Sequence, residues 1–168
     1  MLDSLITSKT RLRLLIKFFL NIANKGYLNG LANEFGESTN SVRKELNNLS
    51  SAGYLEKYSE NNKVVYKANA SHPLFKIIQR IVKKHLGIED ILETVLKRMG
   101  DVKKIMILGD YAEGIDSGHI EILIVGEKIR EDYLKEITPK IEKKINRKVS
   151  FFVSNSTLKQ KTLTIFEA

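Results

Sequence analysis

The first third of the chain has a helical rhythm. Leu12, Leu15, Phe18 and Phe19 fall on one face of a helix. A turn at "NKGY" follows, and Leu28, Leu31, Ala32 and Phe35 repeat the spacing over a shorter helix. Gly36 should end it, because glycine takes the left-handed cap conformation at little cost. Ser38 or Thr39 can cap a third helix through its hydroxyl. Val42, Leu46 and Leu49 form that helix's inward stripe, and Gly53 ends it. Tyr54 and Leu55 then begin a strand, "ENNK" is a turn, and "VVYKAN" is the returning strand.

His72 and Pro73 mark a boundary, since the residue before proline is pushed out of the helical region. Leu74, Ile77, Ile78, Ile81 and Val82 recur at helical spacing beyond it. After Gly87 the pattern resumes with Ile88, Ile91, Leu92, Val95, Leu96 and Met99. Two amphipathic helices over residues 71–100 are expected, as a helical connector that covers the next domain or pairs with a second copy of the chain. The rhythm then changes. "KKIMILG" and "HIEILIVG" are apolar strands, and "IREDYLKEITPKIEKKI" is a helix with Tyr133, Leu134, Ile137, Ile141 and Ile145 on one side. Pro139 is expected to kink that helix or to start its second half with Thr138 as cap. "KVSFFVS" is a third strand, so residues 101–168 make a small α/β domain. The last fifteen residues carry no clear signal.

Three short helices and a hairpin follow the winged helix-turn-helix plan. The stretch "LANEFGESTNSVRKELNNLSSAGYLEKYSENNKVVYKAN" resembles the winged-helix (ArsR/MarR-like) transcriptional regulators of bacteria and archaea. The features that carry it are the short helix, the turn, the capped helix with its V-x-x-x-L-x-x-L spacing, and the G-Y-L that leads into a polar wing. With Val42, Leu46 and Leu49 inward, Thr39, Asn40, Ser41, Arg43, Lys44, Asn47 and Asn48 remain outside. Asparagine can pair bidentately with adenine and arginine with guanine. Lys57 and Lys63 sit on the wing, where they can reach backbone or minor groove. The resemblance implies a regulator that binds double-stranded DNA over residues 1–70, as a homodimer, because sites for this fold are usually read by two-fold dimers.

Charge sharpens this picture. The net charge is +8. Residues 1–70 carry 10 Lys and Arg against 6 Asp and Glu, residues 71–100 carry 6 against 3, and residues 101–168 carry 12 against 11. A polyanionic partner should therefore meet the first hundred residues.

The stretch "ILGDYAEGIDSGHIEILIVG" looks like the minimal nucleotidyltransferase domain, which has a strand, a G-S-x-A-x-G loop and a strand bearing D-x-D. Gly109, Ala112 and Gly114 match the loop's small positions, and His119 and Glu121 stand where the two aspartates would be. Strand alternation puts His119, Glu121 and Leu123 on one face. The resemblance implies a nucleotide pocket built on Gly109, Asp110, Gly114, His119 and Glu121. The chemistry departs from the pattern. Asp110 replaces the loop serine and would repel a triphosphate. An imidazole replaces the first carboxylate, and magnesium wants hard oxygens. Val149, Ser150 and Phe151 offer no third carboxylate. A domain that holds a nucleotide or nucleotide-sugar effector, or that dimerises without transferring anything, is therefore expected.

Other chemistry is scarce. Cysteine is absent, which removes thiolate metal sites and fits a reducing cytoplasm. The three histidines lie far apart, no Walker-type loop is present, and no cofactor or resident metal is expected. No apolar run is long enough to span a membrane, and the N-terminus lacks the order of a secretory signal. The fold class expected is α+β: a winged helix over 1–70, a helical connector over 71–100 and a nucleotidyltransferase-like domain over 101–168. The function expected is transcriptional regulation, with no enzyme activity. An active nucleotidyltransferase targeted by its winged helix, and a protein-interaction adaptor, are the alternatives.

Overall fold

In the computed structural model, which describes residues 1–168, the first apolar rhythm becomes helix α1 (Lys9–Leu20). Ser8 caps it, accepting from the Arg11 backbone N–H at 3.1 Å. Leu14, Phe18 and Phe19 are wholly buried. Helix α2 (Leu28–Phe35) ends at Gly36, whose φ of 64° is the left-handed cap conformation. Helix α3 (Thr39–Ser51) starts from Ser38, whose side chain accepts from the Ser41 N–H at 3.2 Å. Strands β1 (Leu55–Glu60) and β2 (Lys63–Ala68) pair antiparallel. Asn61 and Asn62 join them at φ 51° and 61°, the left-handed pair that a two-residue hairpin requires and that asparagine tolerates. Gly26 and Tyr66 exchange backbone hydrogen bonds, so the segment before α2 extends the hairpin on its β2 side.

The fold is α+β, and the chain divides into two compact units, Met1–His85 and Leu86–Ala168. The division falls inside the stretch read as a connector. Helix α4 (Phe75–Leu86) lies almost wholly in the first unit. There the Phe75 ring stands 5.7 Å from Phe19, and the Gln79 side chain donates to the Phe19 carbonyl. Helix α5 (Ile88–Leu96) lies in the second unit, where Asp90 meets Lys144 at 2.9 Å and the Thr94 carbonyl accepts from the Tyr133 hydroxyl.

The second unit is built on four strands: β3 (Asp101–Leu108), β4 (His119–Glu127), β5 (Lys148–Ser154) and β6 (Leu163–Glu167), in the order β5-β4-β3-β6. The short α6 (Gly109–Ala112) follows β3 directly. Helix α7 (Glu131–Ile145) makes the crossover between β4 and β5, the one parallel pair. On one sheet face Ile105 and Ile107 lie opposite Ile124 and Ile122, and these side chains and Ile120 are fully buried. On the other face Met106, Leu108, Leu123 and Val125 form a separate apolar cluster.

Two expectations are corrected here. Pro139 does not start a second half of α7 with Thr138 as its cap, since one helix spans Glu131–Ile145. The ring is exposed, and the Thr138 hydroxyl donates back to the Leu134 carbonyl at 2.6 Å, so the helix runs through. The C-terminal residues, read as featureless, supply edge strand β6 against β3. No helix of the protein is long and apolar enough to cross a membrane.

Candidate nucleic-acid interface and a cleft in the second unit

Helix α3 buries Val42, Leu46 and Leu49, as its spacing requires, and also Glu45. The Glu45 carboxylate is held at the N-terminus of α1, accepting from Arg11 Nε at 2.7 Å and from the Ser8 hydroxyl at 3.1 Å. Ser8 thus caps α1 and ties it to α3, which fixes how α3 presents its far side. At about 100° per residue, Asn40, Lys44 and Asn47 lie opposite the buried stripe, with Arg43 beside them; all four are exposed. Arg43 Nη1 donates to Asn40 Oδ1 at 3.0 Å, so the guanidinium and the amide stand together. Thr39, Ser41 and Asn48 are exposed on the flanks. The Ser41 hydroxyl accepts from that of Ser38 at 3.0 Å, and Asn48 turns toward Leu15, Tyr54 and Ile78 at the edge of a neighbouring hollow. The seven residues read from the sequence therefore separate into a central group of four and a flanking group of three.

The two hairpin lysines part company. Register places Lys57 opposite Tyr66 and Lys63 opposite Glu60, which puts them on opposite faces of the ribbon. Lys57 is exposed beside Ser59 and Val64. Lys63 lies over the Tyr27 ring, 4.1 Å from its centre. Lys25 and Lys67 approach the Tyr58 ring at 5.8 and 5.5 Å. The hydrogen bond to Tyr58, with its charge and that of Glu60, holds the Lys25 ammonium above the usual lysine range. Tyr27 and Tyr58 escaped the sequence reading, because the pairing of residues 25–27 with β2 has no local signature.

Charge follows the division of the chain. Residues 1–85 carry 14 Lys and Arg against 6 Asp and Glu, whereas residues 86–168 carry 14 against 14. The whole excess of +8 thus resides in the first unit.

In the second unit the residues read as a pocket are only partly brought together. A cleft of about 760 Å³ opens on the sheet face that carries the Leu108–Leu123 cluster. Gly109, Asp110 and Glu121 line it. Gly114 does not. It is buried at φ 77°, where it turns the loop. His119 stays at the sheet end, exposed, with Nε2 2.7 Å from the Ser150 hydroxyl. The cleft gains residues that sequence reasoning passed over: Glu113 from the loop, Phe152 from β5, and Leu158 and Lys161 from the segment before β6. Glu113 and Lys161 pair at 2.9 Å.

The loop after β3 is anchored from below. Tyr111 is fully buried, and its hydroxyl bonds to Asp116 and accepts from the Gly118 N–H. Burial first, and then the Asp116 carboxylate, push the phenol well above its ordinary range. Arg147 grips the same carboxylate through two nitrogens, at 2.9 and 2.8 Å, and this bond raises its own value. Asp116 is therefore a structural anchor. Gly109 is favoured by its backbone, whose φ of 60° strains any other residue; a methyl group there would also push Glu121 Oε2 aside. No three His, Cys, Asp or Glu side chains converge as a metal-binding group.

No protein-family model and no curated protein matches the chain. Among solved structures, Sso10a-2, a DNA-binding protein from Sulfolobus solfataricus, is similar over 50% of this chain and 85% of its own, with 17% identity and a TM-score of 0.36, too weak a likeness to assign fold or function.

Proposed function

We propose that residues 1–85 form a winged helix-turn-helix unit that binds double-stranded DNA, and that the protein is a homodimeric transcriptional regulator. The observation that carries this reading is α3. Asn40, Arg43, Lys44 and Asn47 stand exposed opposite a buried stripe, on a helix fixed through Glu45, in the unit that holds all the net charge. Arg43 and the two asparagines have the donor geometry for base edges in the major groove. Lys44, Thr39, Ser41 and the hairpin's Lys57 and Lys63 suit phosphates, which position the protein without reading sequence. Exposed Leu74, just before α4, and Ile77 and Ile81 on it support association with a second copy.

Residues 86–168 fit a nucleotidyltransferase-like unit that performs no transfer. The two positions expected to hold metal carry His119 and Glu121, and only Glu121 faces the cleft. The neighbouring strand offers Ser150 and Phe152 in place of a third carboxylate. Two-metal phosphoryl transfer needs several oxygens around both ions.

The experiment is selection of genomic DNA fragments by the full chain, followed by anisotropy titration of a selected duplex against salt. Specific binding should weaken steeply as salt rises, because neutralised phosphates release counterions. No enrichment of any fragment, or an affinity indifferent to salt, would overturn the DNA reading. Incorporation of labelled nucleotide that Glu121→Ala abolishes would overturn the non-enzymatic one.

A further inference from the structure

The cleft in the second unit has a chemistry of its own. Its floor is apolar, formed by Leu108 and Leu123. Phe152 and Leu158 line it too, yet remain 47% and 45% exposed, an unusual state for side chains gathered around one hollow. Its polar edge is acidic. Asp110, Glu113 and Glu121 face a single cation, Lys161, which is already bound to Glu113. The carboxylates of Asp110 and Glu121 make no hydrogen bond or ion pair, and Glu121 is half-buried against Gly109.

We propose that this cleft binds a small organic cation with a flat apolar body, such as an aromatic amine or quaternary ammonium. Three observations select that class. Two carboxylates without partners favour positive charge and repel phosphate, so a nucleotide is the wrong sign. The absence of a third converging ligand leaves a bare divalent ion under-coordinated. The exposed Phe152 side chain supplies aromatic surface that suits a cation and an apolar body, and about 760 Å³ suits a ligand of drug size. Glu121 fixes where the charge sits, Asp110 broadens the negative field at the mouth, and Phe152 and Leu158 cover the ring system. The inference stands apart from the DNA reading, since it concerns only residues of the second unit.

The test uses the full chain and two fluorescent dyes on one xanthene nucleus, rhodamine 6G as the cation and fluorescein as the anion, read by anisotropy. The cation should bind saturably and at least about tenfold more tightly than the anion, the scale of one charged contact. Asp110→Asn combined with Glu121→Gln should remove most of that preference. Phe152→Ala should weaken binding of the cation with little change in melting temperature. Equal binding of the two dyes, no saturable binding of rhodamine 6G, or full retention of the preference in the double amide variant would overturn the proposal. So would displacement of the dye by magnesium far below the sodium concentration that does so at equal ionic strength. Should the double variant melt early, the cation-to-anion comparison on the unaltered protein still decides.

Discussion

The two units differ in where they leave carboxylates unpaired. In the first unit, four glutamates are matched: Glu34 meets Lys17 at 2.7 Å, Glu37 meets Arg13 at 2.8 Å, Glu45 meets Arg11 at 2.7 Å and Glu56 meets Lys67 at 3.7 Å. What remains outside is basic and amide, concentrated on α3 and α4. The second unit balances its charges in number, yet leaves Asp110 and Glu121 unmatched beside an apolar hollow. Net charge alone would have called that unit inert. The difference teaches that the informative quantity is the charge left unpaired at a concave or protruding surface, because paired surface ions contribute little to either stability or recognition.

The sharpest way to break this contrast is to remove the basic excess from α3. Arg43→Ala with Lys44→Ala should weaken specific duplex binding by about 2–6 kcal/mol in total, scaled from about 1–3 per good base contact. Unchanged affinity in an anisotropy titration would mean that the exposed face of α3 is ordinary solvated helix. The next effect concerns a matched acid. Glu45→Ala removes the acceptor that joins α1 and α3, and should cost about 1–3 kcal/mol of stability in denaturant unfolding. Arg11 keeps access to water, which places the loss toward the lower end. A variant as stable as the parent would show that the pairing of acids in this unit is incidental.

Tyr111 offers a pH-dependent test of the second unit. Its phenol holds its proton more tightly in the folded state than in the unfolded chain. The stability this contributes is present below the ordinary phenol value and is lost as pH rises above about 10. Tyr111→Phe should therefore lose its two hydrogen bonds at neutral pH, about 1 kcal/mol, while showing a shallower fall of stability in alkali. Parallel alkaline profiles for the two proteins would refute the burial argument.

Much of the first unit was legible because its signals are local. Ser38 as cap, Gly36 as stop, the Asn61-Asn62 turn and the apolar period of α3 each act within a few residues. The sidedness of α3 follows from period alone, though the pairing of Arg43 with Asn40 does not. The second unit hid more, because its site is assembled from distant segments. Glu113 and Lys161 meet at one end of the sheet from segments 48 residues apart in the chain, and Asp116 is claimed by Arg147 across the α7 crossover. Strand β6 is short and lies at an edge, where the alternation of "LTIFE" is weak. Glu45 defied its type, as a charge within a buried stripe. The division between His85 and Leu86 was not legible in periodicity for a related reason. Helix α4 joins the first unit through Phe75 on Phe19, a tertiary contact that no spacing within residues 71–100 announces.

The smallest expected effect is the most discriminating, because its sign separates the two kinds of carboxylate. Glu45 has two hydrogen-bond partners and Glu121 has none. Replacing each with glutamine keeps size and shape and removes one charge. At Glu45 the change breaks a charge-assisted bond to Arg11 and should lower stability. At Glu121 it removes a charge that nothing in the fold compensates, so stability should stay within about 0.5 kcal/mol of the parent or rise slightly. A site kept ready for a ligand commonly carries such an uncompensated group at the expense of stability. Denaturant melts of the two variants, run side by side, check the difference. A loss at Glu121→Gln as large as that at Glu45→Gln would mean that the Glu121 carboxylate has a structural partner, and the second unit would then resemble the first.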